Sequence, residues 1–406
     1  MISVCCAYVS FVSDQPQQKG QGGEAMVTVH SRQDIDGLSD LVRAMVGDGV
    51  LDGRLRFSEW ARGNRDFVDS KLAYEQAPGM PPASALIKPF VHPSVPLVGL
   101  NYTPTAHNLL HRFFGGWTRP VRACRGIVFD RGGNLVGLPF PKFFNHGEYA
   151  ETTDLPDKPW TATTKMDGHL VPMFQHGGKV RITTRGDFLS PTAILARPLI
   201  ARHVRKNNWK DALPEHVTVL TELVHPKTSV FVDYAGRQDF VVVGAYNTQT
   251  LEDYDYPAIC DLAARLNLPV TGAWHGNNLV ELLAHMKDRS VTNQEGFVIR
   301  FGSGLRVKVK FETYIGQMVA AKLSYKYVMQ RFCASNAERM LGTLPEEIYD
   351  AALRMMGEIM LSVSAGGTMQ EQWRRLYLLE LGEKRTASFE QACRKFVKKL
   401  HGVDVD

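Results

Sequence analysis

The chain has 406 residues, 44% hydrophobic and 22% charged, which excludes a fibrous or wholly disordered polymer and leaves room for two or three packed domains. Its net charge of +5 and pI near 8.8 suit a polyanionic partner without requiring one. No apolar run is long enough to cross a membrane as a helix, and Cys5, Cys6, Cys124, Cys260, Cys333 and Cys393 form no C-x-x-C pair, so reduced thiols of a cytoplasmic protein are expected rather than a disulfide framework or a zinc site.

Residues 1–12 are apolar but lack a basic leader and a convincing cleavage site, so no signal peptide is expected. Residues 14–24 are rich in Gln and Gly and read as disordered. Met26 reads better as a start, which makes 1–25 an expected mobile or non-native extension. An amphipathic helix is predicted over 35–46 with Asp34 as its N-cap, followed by a Pro-rich loop over 78–96. From 124 to 311 short alternating strands alternate with Gly, Asn and Asp turns, interrupted by helices over 191–207 and 256–266. Beyond about Thr313 the pattern turns helical, with helices expected over 324–340, 345–363, 369–381 and 388–400 and a break at Gly366-Gly367. The expected organisation is an α+β body over 26–323 and a helical domain over 324–406.

Within the strand-rich region polar residues stand where a plain sheet would not want them. Arg125 shares a face with Ile127 and Phe129, and Lys142 precedes Phe143-Phe144. Lys165, Asp167 and Gly168 form K-x-D-G, the spacing used in covalent nucleotidyl transfer. There a lysine amine attacks phosphorus, a carboxylate two residues on shares its strand face, and a glycine lets the backbone close over the nucleotide. Alone it is weak, since it arises by chance in roughly one chain in ten of this length. Glu222 shares a face with Leu220 and Val224, and Glu295 with Phe297, Ile299 and Phe301; an acid among apolar neighbours is costly unless paired or bound. Over 305–311, Leu305, Val307, Val309 and Phe311 form one face and Arg306, Lys308 and Lys310 a cationic one. Each has a plainer reading: a basic strand face is more often a solvated edge, and either glutamate can be a buried partner of an arginine. As a set they supply a nucleophile, cations for phosphates, an acid for Mg²⁺ and an acid for ribose hydroxyls.

This ordered series resembles the covalent nucleotidyltransferase superfamily. Residues 165–168 stand as its motif I, Glu222-Leu223-Val224 as motif III, 240–246 as motif IIIa, Glu295-Gly296-Phe297-Val298 as motif IV and Lys308-Val309-Lys310 as motif V. Within it the chain most resembles the bacteriophage RNA ligase 1 family. Arg125-Gly126-Ile127-Val128-Phe129 and Pro141-Lys142-Phe143-Phe144-Asn145 resemble that family's phosphate-binding lead-in. Thr183-Thr184-Arg185-Gly186 resembles a basic-Gly turn after motif I, with one arginine where the family tends to place lysines. The likeness spans about 101–314.

The resemblance implies an α+β, ATP-grasp-like nucleotidyltransferase body of antiparallel sheets with flanking helices, followed by an all-α C-terminal domain. It implies an ATP-dependent RNA ligase using Mg²⁺ or Mn²⁺, in which Lys165 becomes lysyl-AMP, AMP passes to an RNA 5′-phosphate, and a 3′-hydroxyl seals the strand. A lysine amine is ordinarily protonated at neutral pH, so cations nearby must favour its neutral form. The implied roles are Lys308 and Lys310 at the α-phosphate, Arg125 and Lys142 on outer phosphates or the RNA 5′-phosphate, and Arg185 on RNA. Glu222, with Gly168 beside it, serves the ribose, Glu295 serves the metal, Asp167 orients the lysine, and Tyr246 stacks on adenine. The expected partner is RNA with 5′-phosphate and 3′-hydroxyl ends, such as a cleaved tRNA, met by a monomer away from any membrane.

His92-Pro93-Ser94 and His216-Val217-Thr218 loosely resemble paired H-x-T/S phosphoesterase motifs and are read as chance. His107 and His111, four apart on an expected helix, lack an H-E-x-x-H context. Arg394, Lys395, Lys398 and Lys399 form a basic terminal helix, equally a solvated face or an RNA contact. A DNA ligase or a capping guanylyltransferase would follow motif V with a β-rich domain, and a non-catalytic RNA-binding relative would have no need of Lys165; both are kept as alternatives.

Overall fold

Strand β1 spans Ile87–Val91, β2 Leu97–Tyr102, β3 Arg125–Asp130, β4 Leu135–Gly137, β5 Phe144–Asn145, β6 Trp160–Lys165, β7 His169–His176, β8 Lys179–Ile182, β9 Val217–Val224, β10 Asp239–Asn247, β11 Gly296–Phe301 and β12 Arg306–Lys310. They belong to a computed structural model that describes residues 30–76, 81–112, 117–274, 278–333, 344–380 and 385–403. The expected extension over 1–25 lies outside the described residues. The chain divides into two compact units, one ending at Tyr314 and one beginning at Ile315.

The first unit is mixed α+β. Its strands form three four-stranded sheets, ordered β1-β2-β3-β4, β10-β9-β7-β8 and β5-β12-β11-β6. Strand pairs are antiparallel except the short β5–β12 pair. Helix Arg32–Gly47 buries Ile35, Leu38, Leu41, Val42 and Met45, the positions a 3.6-residue period brings to one face. Its N-cap is Ser31 rather than Asp34: the Ser31 hydroxyl accepts from the Asp34 N–H at 3.1 Å. The helix begins earlier than predicted because a short hydroxyl closes the first turn, leaving Asp34 inside it as an acid at the positive end of the helix dipole.

The expected Pro-rich loop is partly a strand. β1 contains Pro89, paired with Leu100. It is tolerated because β1 lies at the sheet edge, where a missing N–H breaks no second ladder.

Helices Pro191–Asn207 and Tyr256–Leu266 have the predicted bounds. Both pack on one face of the β10-β9-β7-β8 sheet through a cluster that includes Val171, Met173, Leu199, Leu223, Phe240 and Leu262. That leaves the other face of the sheet, carrying Leu170, Leu220 and Glu222, turned toward the remaining strands.

In the second unit the described residues form helices: Tyr325–Cys333, Tyr349–Ser364, Met369–Tyr377 and Ala387–Leu400. Parts of the helices expected over 324–340 and 369–381 fall outside the described residues. Gly366 and Gly367, at φ +73° and +89°, end one helix, and Thr368 and Glu371 start the next with a reciprocal capping box. Helix Glu312–Lys322 opens the helical stretch expected beyond about Thr313, although no separate bounds were expected for it; its apolar residues are spread around the axis and form no stripe. Arg394 of the last helix is held by Glu390 at 2.6 Å and lies over the Trp373 ring. No described helix is long and apolar enough to cross a membrane.

Candidate active site

The site is assembled by strand register. Lys165 ends β6 and pairs across the ladder with Gly296 of β11, which pairs on its other side with Lys310 of β12. Cross-strand partners point to the same face, so both lysines flank Gly296. Between them lies the carboxylate of Glu295: Oε2 is 2.8 Å from Lys165 Nζ and Oε1 is 3.0 Å from Lys310 Nζ. The expectation that Glu295 shares a face with Phe297 and Ile299 is overturned. β11 begins only at Gly296, whose φ of +151° turns the preceding residue to the lysine side. A Cβ at Gly296 would lie 2.0 Å from the Val309 carbonyl oxygen, so only glycine permits the close approach of β12.

One rung along, Lys308 pairs with Val298 and so shares the face of Lys310, with its ammonium 5.2 Å from the centre of the Phe143 ring. The third cation of that strand departs from the expectation. Arg306 is 3% exposed and bonds Asp253 at 2.6 Å and the Tyr246 hydroxyl at 3.1 Å. Instead of extending the cationic face it fastens the start of β12 in the interior, where a buried charge requires a partner.

Tyr246 is therefore not placed to stack on a base. Its ring is fully buried, edge-on to Phe140 and His30, and its hydroxyl accepts from Arg306. The strand alternation that marked it as inward-facing does not distinguish a core position from a pocket wall.

Asp167 departs from the expected strand face, though not from a place in the lysine's surroundings. β6 ends at Lys165, so Asp167 sits in the turn to β7 and not on the lysine's strand face. Its Oδ2 accepts from the N–H groups of Val230, Phe231 and Val232 at 3.0, 2.7 and 2.8 Å, and its Oδ1 accepts from the Tyr314 hydroxyl at 3.2 Å. Its own N–H donates to the Tyr234 hydroxyl. Asp167 thus acts on the site by holding the loop after β9 against the turn that carries the lysine. Gly168 closes the same turn onto β9, since a Cβ there would lie 2.5 Å from the Leu223 carbonyl oxygen and 3.0 Å from Glu222 Cγ.

Glu222 stands opposite Leu170, two residues beyond Gly168. Its carboxyl is pushed up to about 7 by burial, against the opposing pull of Lys165 and Arg125 and with added repulsion from Glu295 and Asp167. Lys165, Glu222, Glu295 and Arg125 therefore lie within one another's field.

A second cationic group surrounds Tyr102, which the sequence did not single out. Lys142, 5% exposed, sits over the rings of Tyr102, Trp117 and Phe144. Arg185 lies over the Tyr102 ring and donates to its hydroxyl at 3.1 Å. Burial alone would raise the Tyr102 phenol. The charges of Lys142, Arg185, Arg125 and Lys308 outweigh it and draw the phenol below its ordinary value. Among the described residues Arg125 Nη1 is buried without a hydrogen-bond partner. Burial pulls its guanidinium down from its ordinary value, with neighbouring Arg185 acting in the same direction.

The two groups together place six cations, Arg125, Lys142, Lys165, Arg185, Lys308 and Lys310, around two carboxylates. That excess suits a multiply charged anion. For a divalent ion the donor set is thin. Among the described residues no three His, Cys, Asp or Glu side chains converge on a metal position, and both oxygens of Glu295 face lysines. Glu222 and Glu295 are hard oxygen donors of the kind Mg²⁺ takes singly or in pairs when phosphates and water fill its remaining positions. They therefore fit such an ion only together with a phosphate ligand.

The remaining motifs are structural. His92 Nδ1 accepts from the Ser94 and Val95 N–H groups and caps its own turn. The His107 ring stands edge-on to Trp117, and the side chain of His111 lies outside what is described.

Residues 123–315 match the family model described as RNA ligase. A Thermovibrio ammonificans protein whose name assigns it provisionally to the RNA ligases is 32% identical over 117 residues, 28% of this chain and 31% of that one. RNA ligase 1 of bacteriophage TS2126 is 30% identical over 132 residues, 28% of this chain and 32% of that one. A solved mutant of Naegleria gruberi RNA ligase with ATP and Mn superposes with a TM-score of 0.33 and 16% identity over 39% of this chain and 51% of that one. The chain thus spans about a third of the curated relatives it matches. The segment matched by the family model holds all six cations and both carboxylates of the site.

Proposed function

We propose that this chain is an ATP-dependent RNA ligase that joins a 5′-phosphate to a 3′-hydroxyl through lysyl-AMP and RNA-adenylate, acting in RNA repair with cleaved tRNA as the substrate type. The observation that carries the reading is the carboxylate of Glu295 bridging Lys165 and Lys310 beside Glu222. This is a lysine nucleophile held among groups suited to a nucleoside triphosphate.

In this reading the Lys165 amine loses a proton, attacks the α-phosphorus and displaces pyrophosphate, forming a P–N bond as a P–O bond breaks. Lys308 and Lys310 balance charge on the α-phosphate oxygens. Glu222 accepts from the ribose hydroxyls. Arg125 and Lys142 hold the outer phosphates and then the RNA 5′-phosphate, with Arg185 at the rim. A Mg²⁺ or Mn²⁺ ion, when bound, supplies further neutralisation of the phosphates. Glu295 holds the lysine amine in place before nucleotide binds. The adenylyltransferase domain is assigned to 26–323 and an all-α domain to 324–406. The helical character of the described residues beyond Tyr314 favours RNA ligase over DNA ligase or capping enzyme, which place a β-rich domain there.

The test is mass spectrometry of the protein after exposure to ATP and Mg²⁺. A gain of one AMP mapped to the peptide with Lys165, and absent in Lys165→Ala, is expected. An unmodified wild-type chain, or an adduct persisting in that variant, overturns the proposal. Adduct formation from GTP instead, or sealing of nicked DNA in preference to RNA, would transfer the chain to the alternatives.

A further inference from the structure

Helix Pro191–Asn207 carries a charge distribution that its packing does not explain. Its inner side, Ala193, Ala196, Leu199 and Ile200, is buried, the last three in the cluster on the back of the β10-β9-β7-β8 sheet. Its outer side bears Arg197, Arg202, Arg205 and Lys206, all exposed. From Ser190 to Asn208 there is no acid, and none of the four cations has an acidic partner among the described residues. The nearby Asp239 is engaged by His203 and Arg237.

An ordinary solvated helix face intersperses both signs, because like charges at neighbouring helical positions repel. Here Arg202 and Arg205 are three apart, Arg202 and Lys206 four apart, and no acid relieves them. Such a face becomes favourable when a polyanion lies on it and releases its counterions.

The position of the helix supplies the second observation. Ser190 caps its N-terminus, and Thr192 Oγ1 meets His169 Nδ1 at 2.6 Å. His169 directly follows the K-x-D-G turn, so the start of the helix is tied to the chain four residues after the lysine, on the sheet face opposite Glu222. From Arg197 to Lys206 the cations run for roughly 14 Å along the helix at 1.5 Å per residue. Arg181 of edge strand β8 and Arg197 of the helix both act on the imidazole of His92, and Arg185 stands on the Tyr102 side.

We infer that the outer face of helix Pro191–Asn207 is a docking surface for the sugar–phosphate backbone of RNA, holding the strand beyond its reacting end. This rests on the ligase reading for its partner. The contacts are to phosphates, so binding there is independent of base sequence.

The test compares three full-length proteins in titrations of labelled RNA at several salt concentrations without ATP. They are the wild type, the variant R197Q/R202Q/R205Q/K206Q, and a control, R54Q/R56Q/R62Q/R65Q, that removes the same charge from exposed positions elsewhere in the same unit. The first variant is expected to bind RNA about tenfold more weakly, with a log–log salt slope shallower by up to about 3. It should form lysyl-AMP at the wild-type rate and seal RNA with raised KM and unchanged kcat. A further variant, R197K/R202K/R205K, keeps the charge and should restore binding. Unchanged affinity and slope in the first variant, an equal loss in the control, or no restoration by lysine each overturn the proposal. A wild type that forms no adduct refutes the ligase reading instead, and the binding comparison still decides the surface.

Discussion

Glu295 accepts from two lysines at once, so each of its oxygens has a separate consequence when lost. Glu295→Ala removes the carboxylate that accepts from both Lys165 and Lys310. Removing one partner from a buried pair costs about 3–5 kcal/mol. Because Lys165 is partly exposed, a loss nearer 2 kcal/mol is expected here, read as a lowered denaturation midpoint together with loss of lysyl-AMP. Glu222 makes a different prediction. Its carboxyl is raised from 4.5 to about 7 by burial, so the folded chain retains a proton there that the unfolded chain has released. Stability from this group is therefore greatest below about 4.5 and falls as pH rises through about 7. A ribose hydroxyl is a better donor to the ionised form, so ATP affinity should rise across the same interval. Titration calorimetry at several pH values should show that rise in the wild type and a weak, flat profile in Glu222→Gln; a flat wild-type profile would remove Glu222 from the nucleotide. The glutamates were legible in the sequence because each breaks an apolar alternation. Tyr102 was not, since a single tyrosine in a strand carries no signal until Lys142 and Arg185 fold around it.

At the scale of elements, the site depends on how close β11 and β12 approach and on one loop staying in place. Gly296→Ala forces a Cβ to 2.0 Å from the Val309 carbonyl, which no rotamer relieves. It should cost more than about 3 kcal/mol and remove lysyl-AMP formation along with the thermal transition. The clamp made by Asp167 is milder. Asp167→Ala releases three backbone N–H groups and the Tyr314 hydroxyl. Hydrogen exchange at Val230, Phe231 and Val232 should accelerate at least tenfold, equivalent to about 1.4 kcal/mol, with the rest of the unit unchanged; protected amides would refute the clamp. The K-x-D-G spacing pointed to this aspartate, but its role lies with residues more than sixty positions away, which no local pattern reveals. The misplaced N-cap at Asp34 has a similar cause: Ser31 and Asp34 are both good caps by type, and only backbone geometry chooses between them. The helix over Glu312–Lys322 falls where the chain was expected to turn helical, but its bounds were not legible because its apolar residues are spread evenly around the axis.

On the scale of the whole molecule, the matched segment 123–315 and the first compact unit end within a residue of each other, at 315 and 314. The chemistry proposed for Lys165 needs residues of that unit alone. A chain ended after Lys322 is therefore expected to form lysyl-AMP at close to the full rate, while sealing of RNA is reduced. Gel analysis of labelled adduct beside an RNA-joining assay separates the two, and loss of the adduct would show that the nucleotide step depends on residues beyond Lys322. The α+β body and the helical tail were legible because period-two and period-3.6 patterns occupy separate stretches of the chain. How the strands divide into three sheets was not, because pairing register rests on contacts between segments far apart in sequence, such as Lys165 with Gly296.

The hydrogen bond from Tyr314 to Asp167 has a mechanical consequence. Tyr314 is the last residue of its unit, so tension applied to the chain beyond it reaches this bond before it reaches any strand. A pull from the C-terminal side is expected to open it early and to loosen the turn that presents Lys165 before the sheets part. Force spectroscopy should then show lysyl-AMP formation lost at a lower load than the one that unfolds the domain, and simultaneous loss of both would remove this role from the Tyr314–Asp167 bond.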